Sequence, residues 1–210
     1  MKLYTIFSPS HEVLYKEYFL KTLPDEFELE VRKTEQLCNT GVYFSNGWEK
    51  AMMEKANLFI EACENNMGKH FFFCDVDVLF HGNVLDQLVK EIEDYDVAFQ
   101  DDTGKPCAGL FICKANERTL EMFKTLKKIF KDDDQQTLYK CVDMCKYKLL
   151  SRDKFFTTGN QHMDVWRGQD FDVPNDMLIH HANWVIGIEN KMKVLQYARE
   201  KLLKQRNILK

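Results

Sequence analysis

Phe71 to Phe80 reads Phe-Phe-Phe-Cys-Asp-Val-Asp-Val-Leu-Phe, an apolar run of strand-forming residues that contains two carboxylates. Glycines at positions 68 and 82 bound the run, so it predicts one buried strand that leads into a turn. Residues i and i+2 of a strand share a face and lie roughly 7 Å apart, which places Asp75 beside Asp77. Two ionised carboxylates among apolar side chains repel each other and are poorly solvated, so a cation is needed to offset both effects.

This carboxylate pair predicts a metal site at the end of a central strand. Mg²⁺ and Mn²⁺ are cations that take oxygen ligands in proteins, so Mn²⁺ (or Mg²⁺) is the expected cofactor. The alternative is that the Asp-x-Asp triplet has arisen by chance, as usually happens in solvated turns. The flanking apolar run favours the metal site, because it places Asp75 and Asp77 at the edge of the core.

The overall composition bounds the class of protein. A chain of 210 residues with 45% hydrophobic and 13% aromatic residues suits one sizeable α/β domain. Its net charge of −4 argues against general binding of nucleic acid, and no run is long and apolar enough to form a transmembrane segment. Seven cysteines without a Cys-x-x-Cys motif, together with the lack of a recognisable signal peptide, predict reduced thiols and a cytoplasmic location.

Strand and helix patterns alternate along the chain, which predicts an α/β fold with a central, mainly parallel (mixed) sheet flanked by helices. We expect one domain over residues 1–190. Residues 191–210 predict a basic amphipathic helix that either packs on this domain or leads to a further one. Residues 152–176 form a long irregular segment, which is a candidate cover for a site. The expected strands span residues 2–7, 28–32, 71–80, 95–100, 108–113 and 148–151, and a last strand over 177–184 leads into a loop.

The clearest helix spans residues 46–64, with Asn46 as its cap and Glu49 at the capping-box position. Lys55 falls on the apolar stripe of this helix, and two interpretations stay open. Either its stem packs while its ammonium group reaches water, or the ammonium group points at a carboxylate or phosphate near the next strand. Replacing Lys55 with Met is expected to cost little folding stability.

Two later groups of polar residues are candidates for the same site. Asp134 and Gln135 stand at the start of a helix, where acidic residues commonly favour the helix dipole. His180 and His181 end a predicted strand, and such histidines are usually hydrogen-bonded core or surface residues. With a two-aspartate site elsewhere in the chain, one of them becomes a candidate third ligand, since imidazole suits Mn²⁺.

The order of these features resembles the nucleotide-sugar glycosyltransferases of the GT-A fold. More specifically, it resembles retaining enzymes related to plant cell-wall xylosyl- and arabinosyltransferases, the glycosyltransferase domains of large algal DNA viruses and, more distantly, glycogenin. The resemblance covers most of the chain and rests on an ordered set of motifs: Trp48…Lys55, Phe73-Cys-Asp-Val-Asp-Val, Ala108-Gly-Leu-Phe, Asp134-Gln135, Phe156…Gly159 and His181-Ala-Asn-Trp…Gly187…Lys191. The chain departs from glycogenin-like relatives at Cys107, where they carry Asn, and in a longer interval between His181 and Lys191.

The resemblance implies a GT-A catalytic domain over residues 1–190. This domain would transfer a hexosyl, deoxyhexosyl or pentosyl group from a UDP-sugar donor to a glycan or glycoprotein acceptor, with retention of anomeric configuration. Asp75, Asp77 and His181 would bind the metal, with Asp75 also near the ribose. Lys55 and Lys191 would face the diphosphate. A viral protein of this kind would act in the host cytoplasm.

The resemblance also implies roles for residues that contact the nucleotide and the sugar. Phe7, Ser8 and the rest of the loop over residues 7–10 would hold the uracil and ribose. Asp101, Asp134 and Gln135 would contact the donor sugar and are the expected catalytic residues.

Two other functions fit the same residues. A metal-dependent phosphohydrolase or nucleotidyltransferase also clusters acids around a cation, although a nucleotidyltransferase is expected to carry a glycine-rich first loop, which Ser8-Pro9-Ser10 is not. Outside the enzymes, the alternative is a non-catalytic nucleotide- or glycan-binding module. The residues alone also leave inversion open, since Asp101, Asp102 or Asp134 could deprotonate the acceptor hydroxyl.

Overall fold

Nine strands form two sheets over the residues that the computed structural model describes, which are 1–38, 45–131, 133–158, 166 and 168–208. In chain order the strands are β1 (Lys2–Phe7), β2 (Glu28–Lys33), β3 (His70–Cys74), β4 (Val78–Phe80), β5 (Val97–Asp102), β6 (Lys105–Lys114), β7 (Tyr147–Leu149), β8 (Phe155–Thr157) and β9 (Ile179–His181). The larger sheet has the order β2-β1-β3-β6-β5-β7, and the smaller sheet has the order β4-β9-β8.

Five of the six strands in the larger sheet point the same way. β1 is parallel to β2 and β3, and β5 is parallel to β7, whereas β6 runs antiparallel to both β3 and β5. The prediction of a mainly parallel, mixed sheet flanked by helices is therefore confirmed. The helices lie at Trp48–Asn65, Leu85–Ile92, Glu117–Lys128, Asp134–Leu138 and Ile188–Ile208, and a helical segment of changing pitch covers residues 9–22.

The centre of the larger sheet is buried on both faces, and β3 accordingly alternates its side chains between two apolar clusters. Phe72 belongs to the cluster that contains Leu3 and Leu110, whereas Phe71 and Phe73 belong to the cluster on the other face. All five side chains are fully buried. Near-continuous apolar strands of this kind are typical of sheets covered by helices on both sides.

The predicted strand over residues 71–80 is in fact two strands. Three residues separate the end of β3 from the start of β4 in the smaller sheet, so Asp75 and Asp77 lie where the chain crosses between the sheets. The Asp75 amide donates to the Gly109 carbonyl oxygen at 2.8 Å, and the Asp77 carbonyl oxygen accepts from the Ala182 amide at 2.9 Å. Ionised carboxylates are costly between the apolar layers that enclose β3, so the acids lie where the chain leaves that sheet.

The start of the Trp48–Asn65 helix also differs from the prediction. Its N-cap is Gly47 rather than Asn46, and no side-chain hydrogen bond caps it. A Cβ atom at Gly47 would lie 1.7 Å from the Leu37 carbonyl oxygen, and the φ angle of Gly47 is 87°, so this position requires glycine.

The C-terminal helix begins at Ile188, three residues before the predicted boundary, and it packs on the larger core. Its fully buried positions are Val194, Leu195, Ala198 and Leu202. A further domain beyond this helix stays a prediction. None of the helices in the described chain is long and apolar enough to cross a membrane.

The segment over residues 152–176, predicted as an irregular cover, contributes β8 to the smaller sheet, where it runs parallel to β9. Part of this segment, Gly159 included, lies outside the described residues. Its role as a cover therefore stays a prediction.

Candidate metal and donor site

Asp75, Asp77 and His181 meet where the two sheets join. Each residue offers one ligand atom, and these atoms all lie within 4.8 Å of one another. The antiparallel pairing of β4 with β9 sets His181 opposite Val78, and this places the imidazole beside Asp77. Asp77 and His181 are buried, whereas the Asp75 side chain is partly exposed. The three residues predicted as metal ligands thus form one cluster, although the binding of a metal there stays a prediction.

The donor set of this cluster fits a divalent cation. Two carboxylates and one imidazole suit Mn²⁺ or Mg²⁺ and leave about three octahedral positions for other oxygen ligands. Burial and the Asp77 carboxylate raise the pKa of Asp75 above its ordinary value, although Lys55 acts against them. A bound cation would relieve the same repulsion between the carboxylates, so the residues present fit a metal.

Gly109 makes room for the cluster. β6 carries it beside the end of β3, because Cys74 pairs with Leu110 in the antiparallel register. A Cβ atom at Gly109 would lie 2.6 Å from Asp75 Oδ2 and 2.7 Å from His181 Cε1. A larger residue at this position would therefore displace two of the three candidate ligands.

Replacing Gly109 with Ala is expected to weaken Mn²⁺ binding by about 10- to 100-fold, the usual cost of disturbing the orientation of metal ligands. Titration of free Mn²⁺ by electron paramagnetic resonance measures this affinity. Gly82→Ala is the matched control, since its Cβ would meet the end of the Leu178 side chain, at 3.1 Å, rather than a ligand. Wild-type affinity in Gly109→Ala would contradict the site.

Lys55 contacts carboxylates rather than water. Its ammonium nitrogen lies 3.0 Å from Asp75 Oδ2 and 3.1 Å from Asp134 Oδ2, and its side chain is buried. Burial acts to lower the pKa of Lys55, but the charges of Asp134 and Asp75 outweigh it and leave the pKa above its ordinary value. Lys55 is therefore charged, and it joins the metal cluster to the Asp134–Leu138 helix.

Lys191 reaches the other carboxylate of the cluster. Its ammonium group pairs with Asp77 Oδ2 and donates to the Ala182 carbonyl oxygen at 3.1 Å. The longer interval after His181 still delivers Lys191, because Gly187, with a φ of 86°, turns the chain into the helix whose first turn carries the lysine. Burial favours the protonated form of Asp77, but Lys191 and His181 outweigh it and hold the pKa of Asp77 well below its ordinary value.

Asp134 and Gln135, the residues expected to contact the donor sugar, lie in the first turn of the Asp134–Leu138 helix. Gln135 Nε2 donates to Asp102 Oδ2 at 2.5 Å. The buried Asp102 carboxylate also accepts from the indole nitrogen of Trp184 at 2.6 Å. Polar contacts therefore link this helix both to the metal cluster, through Lys55, and to the loop that follows β9.

Asp101 contacts a different part of the molecule. Its carboxylate accepts hydrogen bonds from Arg152 at 2.7 and 2.8 Å and from the Gly104 amide at 2.6 Å. Neighbouring strand residues point to opposite faces, so Asp102 rather than Asp101 faces Gln135. The described contacts of Asp101 thus stabilise the turn between β5 and β6, and the structure does not bring it to the other predicted site residues.

The first loop lies near the cluster, at the carboxyl end of β1. The parallel register pairs Tyr4 with Phe73, which brings Phe7 level with the aspartates. The Phe7 ring is buried and stacks on Tyr15, with centroids 4.4 Å apart. The ring of Phe7 therefore belongs to the core, and Ser8 is the first residue of the loop beyond it.

Gln100 and Trp184 belong to the site but were given no role from the sequence, and Asp102 was considered there only as a base for an inverting reaction. Gln100 and Asp102 are two residues apart on β5, so the alternation of a strand places both on the face toward His181 and Gln135. That alternation could have identified them once His181 was placed in the cluster. Trp184 has a φ of 64°, which is rare for a large side chain, and its signal in the sequence was its place in the His181-Ala-Asn-Trp motif.

Three solved structures that share this architecture are glycosyltransferases. A glycosyltransferase involved in the glycosylation of the major capsid of PBCV-1 matches with a TM-score of 0.62 at 10% identity, over 95% of this chain and 98% of its own. The galactosyltransferase LgtC, in complex with donor and acceptor sugar analogs, matches with 0.54 at 10% identity, over 95% and 96%. GlyE of Streptococcus pneumoniae matches with 0.57 at 12% identity, over 94% and 59%. The fold is thus that of the GT-A glycosyltransferases.

A match to a family model defines the protein more narrowly. The model of the nucleotide-diphospho-sugar transferases matches residues 18–195, and the chain belongs to this family. The matched range includes the metal cluster, both lysines and the Asp134–Leu138 helix, and it begins after the first loop. Among curated proteins, none matches the sequence significantly. Family and fold together support glycosyl transfer as the activity.

Proposed function

We propose that the chain transfers a hexosyl, deoxyhexosyl or pentosyl group from a UDP-sugar to a glycan or glycoprotein acceptor. The observation that carries the proposal is the convergence of two carboxylates, one imidazole and two lysines at the carboxyl end of β3. Ligands of open α/β sheets bind at this edge. Asp75, Asp77 and His181 would hold Mn²⁺ or Mg²⁺, which when bound stabilises the negative charge of the leaving diphosphate.

The two lysines take different parts in this proposal. Lys191 is partly exposed, and its ammonium group can exchange the Asp77 carboxylate for a phosphate oxygen. Lys55 is buried between two carboxylates, so it orients Asp75 and Asp134 and supports the diphosphate through them. This departs from the expectation that both lysines face the phosphates directly.

The other proposed contacts are those to the nucleoside, to the donor sugar and to the acceptor. The loop over residues 7–10 would hold uracil and ribose, and Asp134 and Gln135 would hydrogen-bond the hydroxyls of the donor sugar. Two neighbouring structures support an acceptor of glycan or glycoprotein type: one protein is involved in glycosylating a capsid, and the other was solved with an acceptor sugar analog. Asp102 would orient the side-chain amide of Gln135 by accepting a hydrogen bond from its Nε2 atom.

Thermal unfolding with UDP, Mn²⁺ and both together tests the proposal, because a ligand stabilises the state that binds it. UDP should raise the midpoint of unfolding only with Mn²⁺ present. A panel of UDP-sugars followed by measurement of released UDP then separates a transferase from a binding module, and release of inorganic phosphate would instead indicate a phosphohydrolase. The absence of any shift with UDP and Mn²⁺ would contradict the proposal.

The stereochemical course is expected to be retention. Asp134 is committed to an ion pair with Lys55, which suits orientation of the sugar better than nucleophilic attack. Without a covalent intermediate on Asp134, retention requires front-face attack. The acceptor hydroxyl then attacks the anomeric carbon from the side of the diphosphate as the bond to the diphosphate breaks, and the departing phosphate oxygen takes the hydroxyl proton. Asp134→Asn should then slow transfer about 100-fold without abolishing it. NMR of the first-formed product gives its anomeric configuration, which distinguishes retention from inversion. An inverted linkage would contradict the expected retention.

A further inference from the structure

Gln100 occupies an irregular position in β5. Phe99 pairs with Phe111 and Asp101 with Pro106, so Gln100 alone lies opposite residues 107–110 of β6, and the extra residues of this irregularity belong to β6. The Gln100 side chain is fully buried, so the donor and the acceptor of its amide both need partners within the protein.

The partners of Gln100 determine which way its amide points. Its Nε2 atom lies 3.1 Å from the carbonyl oxygen of Phe155 and 3.1 Å from that of Phe156. Carbonyl oxygens only accept hydrogen bonds, so the NH₂ group must face them, and a flipped amide would place three oxygens together. The Oε1 atom of Gln100 therefore faces His181 Nδ1, at 2.7 Å.

The orientation of the amide in turn determines the proton position on His181. Because Oε1 can only accept, Nδ1 of His181 must carry a hydrogen. In the neutral imidazole the lone pair is then on Nε2, which lies 3.4 Å from Asp77 Oδ1 inside the metal cluster. Ligand histidines generally donate their second N–H to such a partner.

We propose that Gln100 is a positioning residue that fixes His181 as the Nδ1–H tautomer and thereby presents the Nε2 lone pair to a divalent cation shared with Asp75 and Asp77. The proposal rests on the metal site of the proposed function, but the tautomer itself does not. Gln100 lies on β5 of the larger sheet and donates to the Phe155 carbonyl oxygen of β8 in the smaller sheet. Its side chain therefore contacts both the smaller sheet and the candidate ligand His181.

The neighbouring histidine provides a matched control. His180 points to the opposite face of β9, where its Nε2 atom lies 2.7 Å from Thr158 Oγ1. Both His180 and Thr158 are fully buried. Thr158→Val removes the buried hydrogen bond to His180, which lies on β9 next to His181. The partners of His181 stay in place.

The first measurement is the tautomer of His181 in metal-free protein, by NMR with ¹⁵N-labelled histidine at a pH at which the ring is neutral. The His181 resonances are assigned by their loss in His181→Asn. The expected result is a neutral ring with hydrogen on Nδ1 and a bare Nε2. A neutral ring with its hydrogen on Nε2 would overturn the proposal.

The second measurement is Mn²⁺ affinity by electron paramagnetic resonance. Gln100→Leu should raise the dissociation constant about 10- to 100-fold, whereas Thr158→Val should leave it within about twofold. Equal affinities in Gln100→Leu and the wild type would overturn the positioning role. If the wild type bound no Mn²⁺, the metal role in the proposed function would fail, and the cation part of this inference with it. The NMR result would still decide the tautomer, so the two failures are distinguishable.

Discussion

Asp77→Ala is expected to abolish Mn²⁺-dependent binding of UDP and the turnover that depends on it. Asp77 supplies one of the three candidate ligands, and its carboxylate also contacts Lys191 and His181. Without it, the cluster keeps one carboxylate and one imidazole, too few anionic donors for a hard divalent cation. The fold should survive, because the change also removes the repulsion felt by Asp75 and leaves a lysine that is partly exposed to water. Calorimetric titration of UDP with and without Mn²⁺ measures the loss, and circular dichroism checks the fold.

A surface carboxylate provides the control for this experiment. Asp170 pairs with Lys201 as Asp77 pairs with Lys191, but its side chain is 76% exposed. Exposed ion pairs contribute little, so Asp170→Ala should bind UDP and Mn²⁺ as the wild type does. Metal-dependent activity retained in Asp77→Ala would remove Asp77 from the site.

Lys55→Met is expected to lower the free energy of unfolding by about 3–5 kcal/mol, the usual cost of removing one partner from a buried ion pair. Lys55 is 6% exposed and lies between Asp75 and Asp134, and Asp134 is itself 5% exposed. Without the ammonium group, Asp134 keeps a buried charge without its counter-ion. The prediction from sequence that this substitution costs little stability is therefore replaced by the opposite expectation. Urea unfolding, with a check that the m-value is unchanged, measures the effect.

Two further variants show whether the loss arises from the buried carboxylates. Lys50→Met removes an exposed lysine from the same helix and should change stability by less than about 0.5 kcal/mol. Asp134→Asn combined with Lys55→Met should recover part of the stability, because the uncompensated charge has been removed. A Lys55→Met protein as stable as Lys50→Met would contradict the buried ion-pair network.

The local pattern of the sequence was enough for the architecture and for Asp75 and Asp77 as a candidate metal-binding pair, whereas the choice of His181 over His180 came from the family resemblance. The apolar run around Asp75 and Asp77 predicts a central strand that ends in acids, and alternation of strands and helices predicts a mainly parallel sheet. Both predictions depend on spacings of a few residues, and the sheet is confirmed. Asn116 caps the Glu117–Lys128 helix through a capping box with Thr119, which is another interaction between residues close in sequence.

The same pattern could not show where a strand stops. The apolar run continues through Val78, so the sequence predicts one strand where the structure has β3 and β4 in different sheets. The division arises because Asp75 pairs with the backbone of Gly109 and Asp77 with that of Ala182, and those partners come from distant parts of the chain.

The sequence by itself thus determined the class of fold and the chemical types gathered in the site, because periodicity and composition act over a few residues. Tertiary structure alone decided which groups meet: Lys191 at Asp77, Gln100 at His181, and Asp102 rather than Asp101 at Gln135. Gln100 and His181 are 81 residues apart, and Lys191 and Asp77 are 114 apart. Charge pairing and hydrogen bonding depend on distances of a few ångströms, and only the register of the strands and the packing of the two sheets set those distances.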